Sequence, residues 1–143
     1  MSEYVATGEM QRGGRASVTA RTTGVAFDGS PGQDPALPGP ADLLTAAFAA
    51  CLLKNVERYS RILPFVYERA EVTVAARRRE SPPRIDRVRY RLMVVTDEPA
   101  RRVELLHRNI RRFGTIYNTL AAVADVDGDI AAVPVDARRA ARP

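Results

Sequence analysis

Only one cysteine, Cys51, and one histidine, His107, occur in the 143 residues, and tryptophan is absent. One cysteine cannot close an intramolecular disulfide. A single Cys and a single His without ligand spacing also exclude a structural zinc site. A spanning helix needs about 20 apolar residues in a row, whereas the longest mostly apolar run, Leu43–Leu53, has Thr45 inside it and is far shorter. Met1–Met10 lacks the charged-then-apolar layout of a signal peptide, so the mature chain is expected to start near Met1 and to work in a reducing cytoplasm. No cofactor, metal or membrane partner is expected.

Apolar residues make up 45% and charged residues 27%, with a net charge of +5. That balance fits one compact domain with its own core and argues against disorder. The arginine excess is concentrated in Arg77-Arg78-Arg79 and in the tail Ala137–Pro143. The tail is short and has no aromatic residue to stack on bases, so a solvated end is expected there, and nucleic-acid binding through it or through Arg101–Arg112 is disfavoured.

The first third reads as an antiparallel meander: Glu3–Met10, a turn at Gly13-Gly14, Ala16–Thr22, then Val25-Ala26-Phe27. Asp28–Pro40, dense in Gly and Pro, reads as a long loop. After it, Ala41–Ser60 contains neither Gly nor Pro and reads as a helix, with Pro40 suited to its first turn and Asp42 placing a negative charge at the positive end of the dipole. From Leu43 to Ala50 this helix is small or apolar on nearly every side, which predicts that its first half runs buried through the middle of the molecule.

Two strands follow, Phe65–Arg77 and Ile85–Thr96. Their alternating sets are Val66, Val72 and Val74, and Val88, Tyr90, Leu92 and Val94; a longer hairpin loop around Ser81-Pro82-Pro83 is expected between them. Val103, Leu106 and Ile110 recur at helical spacing within Pro99–Phe113, opposite a face rich in arginine. Gly114 interrupts that helix, Ile116–Val123 reads as a short further one, and Asp129–Val135 as a last strand that Pro134 either makes an edge strand or terminates. Strands, a central helix, a hairpin, helices and a terminal strand make an α+β layout, not alternating βαβ units.

Chemistry has few places to reside. Cys51 is the only soft nucleophile, on the stripe Leu44, Phe48, Cys51, Asn55 where apolar positions give way to polar ones. A mid-helix thiol gains little from the dipole, so activation calls for a cation from another segment, and Arg12 or Arg15 in the N-terminal turn is the candidate source. His107 has no Ser or Asp partner pattern and is expected to be structural. Asp125, Asp127 and Asp129 have the spacing that opens a calcium loop, but Ile130 stands where that loop needs Gly and Asp136 where it needs a bidentate Glu. A polar turn around Gly128 is expected instead. No helix follows Gly13-Gly14, so a hairpin turn is expected and not a phosphate loop.

The segment Pro40-Ala-Asp-Leu-Leu-Thr-Ala-Ala-Phe-Ala-Ala-Cys51 resembles the OsmC/Ohr family of thiol peroxidases, whose signature is a Pro, one or two acids, an apolar pair and a small-residue run ending in the reactive cysteine. Gln11-Arg12-Gly13-Gly14-Arg15 is similar to the family's arginine-bearing turn. Phe113-Gly-Thr115-Ile-Tyr-Asn-Thr-Leu120 occupies the place of its second cysteine motif. The resemblance implies antiparallel sheets wrapped around a buried central helix in an intertwined homodimer with sites at the interface. It further implies Cys51 as the peroxide-attacking residue, with Arg12, or Arg15 as runner-up, beside it and Asp42 as the nearest acid.

Three departures stand out. The second cysteine is replaced by Thr115, the family's acid position falls on Ala41, and Ile116 replaces the following Pro. A sulfenic acid at Cys51 would then need an external thiol reductant. The first expectation is therefore a one-cysteine, antioxidant peroxidase for organic or hydrogen peroxides. The alternative is a non-redox module that holds a small hydrophobic ligand at the dimer interface, in a pocket lined by Leu44, Phe48 and Thr115.

Overall fold

The computed structural model describes residues 1–135; the tail expectation lies outside the described residues. The chain divides into two compact units, Met1–Leu44 and a second beginning at Thr45.

The first unit is a three-stranded antiparallel meander of β1 (Ala6–Met10), β2 (Arg15–Ala20) and β3 (Thr23–Asp28), in that spatial order. Gly13 and Gly14 turn β1 into β2 with φ of 105° and 103°, a region closed to most side chains, and Gly14 N–H donates to Gln11 O at 3.0 Å. The expected hairpin turn is therefore present. β1 is exposed at every residue, and Ala16 is the one buried hydrophobic residue among the described residues of this unit. The loop after β3 is organised by Asp28: Oδ1 accepts from Ser30 N and Oγ, and Oδ2 from Asp34 N. Those bonds, the Ser30 hydroxyl first, hold the Asp28 carboxyl below its ordinary range.

Helix α1 (Pro40–Ile62) starts as its sequence dictates. Pro40 occupies the first turn, Gly39 O accepts from Leu43 N, and Asp42 Oδ2 accepts from Gly39 N at 2.9 Å, closing a reciprocal cap. The expectation of burial all round its first half is corrected. Phe48 and Leu52 are fully buried, whereas Ala46, Ala47 and Ala50 are exposed and Leu44 is 41% exposed. Small residues permit close approach from any side, but within one chain only the stripe Phe48, Leu52, Val56, Tyr59 meets a core.

The second unit is a helical layer on one face of a sheet in the order β4-β5-β6. β4 (Arg69–Glu80) and β5 (Pro83–Val95) form an antiparallel hairpin through Ser81 and Pro82. The connection is a two-residue turn, shorter than the loop expected, because Glu80 and Pro83 are already paired. β4 also begins later than Phe65: Val66 lies outside the strand and is 74% exposed. β5 alternates as expected, with Val88, Tyr90, Leu92 and Val94 buried.

Helices α2 (Ala100–Phe113) and α3 (Thr115–Ala121) carry the chain over the sheet to β6 (Asp125–Val133), which lies parallel to β5. The all-antiparallel expectation fails at this strand, since a parallel pairing requires such a crossover and the two helices provide it. β6 also begins at Asp125, not Asp129, and Asp125, Asp127 and Asp129 occupy alternate exposed positions of a strand, not a turn. Register pairs Arg87 with Asp125, Arg89 with Asp127 and Arg91 with Asp129, and the side chains bridge Arg89 to Asp125 at 2.7 Å and Arg91 to Asp129 at 3.6 Å. Gly128 is in the strand because an added Cβ would lie 2.5 Å from the Tyr90 ring.

One core joins these elements: Phe48, Leu52 and Val56 of α1, the inward residues of β5, Val103, Leu106 and Ile110 of α2, and Tyr117 and Leu120 of α3. The junction after α1 is fixed by Arg102, whose guanidinium donates to Leu63 O at 2.7 Å, to Pro64 O and to Glu98 Oε2.

Candidate functional site

Cys51 is a free, half-buried thiol on α1. One turn earlier Phe48 is fully buried, edge-on to Tyr90 at 5.9 Å between centroids and tilted against Tyr117 at 5.7 Å. Phe48 therefore supports the helix from inside the core and has no open face for a ligand. One turn later Asn55, 8% exposed, donates its Nδ2 hydrogen to Cys51 Sγ at 3.5 Å. The Asn55 amide also abuts Gly114 at the α2–α3 junction, where an added Cβ would lie 3.2 Å from Nδ2 and 3.0 Å from both Ile110 O and Tyr117 Cβ. Gly114 has an ordinary φ of −71°. Space, not backbone conformation, is what calls for glycine there.

The other expected residues fall as follows. Thr115 is exposed at the first position of α3, directly after Gly114, and its carbonyl accepts from Thr119 Oγ1 at 2.9 Å. Leu44 is exposed on α1. Arg12 lies in the turn before β2, Arg15 opens β2, and both are exposed. Asp42 is occupied as a helix cap, and neither Arg12 nor Arg15 is ion-paired with it among the described residues.

Sequence reasoning missed the partner of His107. Its Nε2 lies 2.6 Å from Tyr90 Oη, a residue of β5 distant in sequence. Burial pushes the Tyr90 phenol above its ordinary value of 10.0, with Tyr117 adding, and burial followed by the Arg111 cation holds His107 below 6.5. The phenol and the imidazole share one hydrogen bond, whose direction follows the tautomer of the ring. Tyr117 Oη is buried beside them without a hydrogen-bond partner among the described residues. Among the described residues no three His, Cys, Asp or Glu side chains converge as a metal site. No helix among them is long and apolar enough to cross a membrane.

The second unit, a sheet with a helical layer, carries one half-buried thiol, the only cysteine of the chain, and that defines the class: an α+β protein with a single thiol nucleophile. The family model for OsmC-like protein matches residues 32–127, more than half of the sequence, and the chain belongs to that family. Solved structures agree on the fold. An OsmC-like protein from Mycoplasma pneumoniae is 13% identical with a TM-score of 0.81, covering 94% of this chain and 98% of its own. An organic hydroperoxide resistance protein OsmC from Legionella pneumophila is 17% identical with a TM-score of 0.72, covering 92% and 98%. The organic hydroperoxide resistance protein OhrB of Bacillus subtilis is 17% identical with a TM-score of 0.66, covering 91% and 98%. No curated protein is a match in sequence.

Proposed function

We propose that the chain is a one-cysteine thiol peroxidase working on organic or hydrogen peroxides as a homodimer in a reducing cytoplasm. The observation that carries the reading is Cys51, a half-buried free thiol with a donor on its sulfur, inside the segment that the OsmC-like family model matches, in a chain to which organic hydroperoxide resistance proteins are similar in fold. The thiolate sulfur attacks one peroxide oxygen, the O–O bond breaks, and the leaving alkoxide or hydroxide takes a proton and departs as the alcohol or as water. Cys51 is left as sulfenic acid. With Thr115 in place of a second cysteine, an external thiol displaces hydroxide from that sulfur, giving water and a mixed disulfide, and a second thiol equivalent releases Cys51. Arg12, with Arg15 as runner-up, is carried over from the resemblance as the cation favouring the thiolate. Asp42 serves the start of α1.

The dimer is supported by what one chain leaves uncovered. A three-stranded sheet with a single buried apolar residue does not stabilise itself, and Leu44, Leu53 and three alanines of α1 face solvent. The family match runs across the boundary at Leu44, so both units are read as one OsmC-like domain.

The test is the intact mass of the reduced protein after brief exposure to cumene hydroperoxide or hydrogen peroxide with a sulfenate trap. One trapped sulfenate per chain is expected, absent in Cys51→Ser, and the faster oxidant names the substrate class. An unmodified mass with both peroxides would overturn the reading. The exposed Leu44 would then favour the ligand-binding module.

A further inference from the structure

Asn55 is an unusual residue for its place. Asparagine is a poor helix former, and a primary amide buried in a helix interior costs stability unless its polar atoms are used. α1 nevertheless buries Asn55 to 8% exposure among Leu52, Val56 and Tyr59, and points Nδ2 at Cys51 Sγ. The i, i+4 spacing stacks the two side chains on one helix face, and Gly114, lacking a Cβ, leaves room for the amide from the far side. A residue needed only to fill that volume would be leucine.

We propose that Asn55 is the positioning residue of the Cys51 site: its amide donor stabilises the anionic sulfur and then holds the sulfenic acid until an external thiol arrives. The inference rests on the peroxidase reading for its second half only. An N–H donor beside a sulfur favours the charged form, and a hydrogen bond to a charged group is among the stronger ones in proteins. The donor does not itself exchange oxygen or electrons; the S–O bond is made and broken at Cys51 as described above. The site therefore has a built substitute for the protection that a disulfide would give, supplied from one helical turn away.

Two substitutions test this, Asn55→Leu and the smaller Asn55→Val, each removing the donor without adding a charge. The first readout is alkylation of Cys51 by iodoacetamide across pH, which needs no peroxide. Both variants should react about tenfold more slowly at pH 7, with the profile moved to higher pH. A merely structural Asn55 would lower the thermal midpoint and leave that profile in place, and that result in a folded variant overturns the proposal. Should the leucine variant fail to fold, Asn55→Val carries the comparison. Should both fail, the side-chain amide resonances of Asn55 in the wild type must move when Cys51 is alkylated, and unmoved resonances overturn it equally.

The second readout is the peroxide concentration at which half of Cys51 reaches sulfinic acid, expected to fall about tenfold in the variants. If wild type forms no sulfenate at all while the alkylation difference stands, the peroxidase reading has failed and the positioning role has not. Equal over-oxidation in wild type and variants, with sulfenate formed, overturns the holding role.

Discussion

Burial and the nearby Arg111 cation hold His107 neutral, so the unfolded chain takes up a proton on this residue at a higher pH than the folded one does. Its contribution to stability is complete above about pH 6.5 and is lost as pH falls from there toward the lower folded value, at no more than about 1.4 kcal/mol per pH unit. His107→Gln keeps a hydrogen-bonding partner for Tyr90 Oη and cannot charge. The difference in urea midpoint between wild type and this variant should therefore narrow between pH 7.5 and 5.5, and a constant difference would count against the buried neutral imidazole. His107 also shows what single-residue reading misses. Its partner lies on β5, and no spacing rule connects Tyr90 to a helix formed later in the chain. Asn55 was legible as a member of the Cys51 stripe, but its burial and its use as a donor depend on Gly114, which only the folded α2–α3 junction brings near.

At the scale of elements, α2 and β5 were readable because each meets a single core. Val103, Leu106 and Ile110 repeat at helical spacing, and Val88, Tyr90, Leu92 and Val94 at the period of a strand. β6 was half readable. Three aspartates two apart around a glycine describe a polar turn as well as the solvent face of a strand, and the deciding fact is the Tyr90 ring that takes up the space of a side chain at Gly128. Gly128→Ala would place its Cβ 2.4 Å from Tyr90 O. A destabilisation of about 3 kcal/mol or more is expected, as for severe overpacking, read from the urea midpoint. Loss below 1 kcal/mol would mean that β6 can shift away from β5 cheaply. α1 misled for a different reason: an alanine-rich surface is compatible with burial but does not create it, and one chain supplies a wall on one side only.

At the scale of the whole molecule, that uncovered helix and the thinly packed meander make association the expected state. Light scattering of the wild type should give twice the chain mass, and Leu53→Glu, at a position 36% exposed in one chain, should shift the population toward monomer. A wild-type monomer at micromolar concentration would remove the dimer from the proposed function. The order of elements and the α+β class were available from sequence because turns and periodicities are local. The parallel pairing of β6 was not, because it depends on where a crossover lands.

The row of Asp125, Asp127 and Asp129 has a consequence for solubility in acid. β6 stands at the edge of its sheet among the described residues, and open edges invite a second strand from another molecule. Near neutral pH a second β6 arriving there would set carboxylates against carboxylates, which repels it. Acid strong enough to protonate them removes that repulsion and loosens the ties to Arg89, Arg91 and Arg111 in the same step. At low pH this local guard is gone, and what then keeps one edge from another is the mounting positive charge of a chain with 22 lysines and arginines.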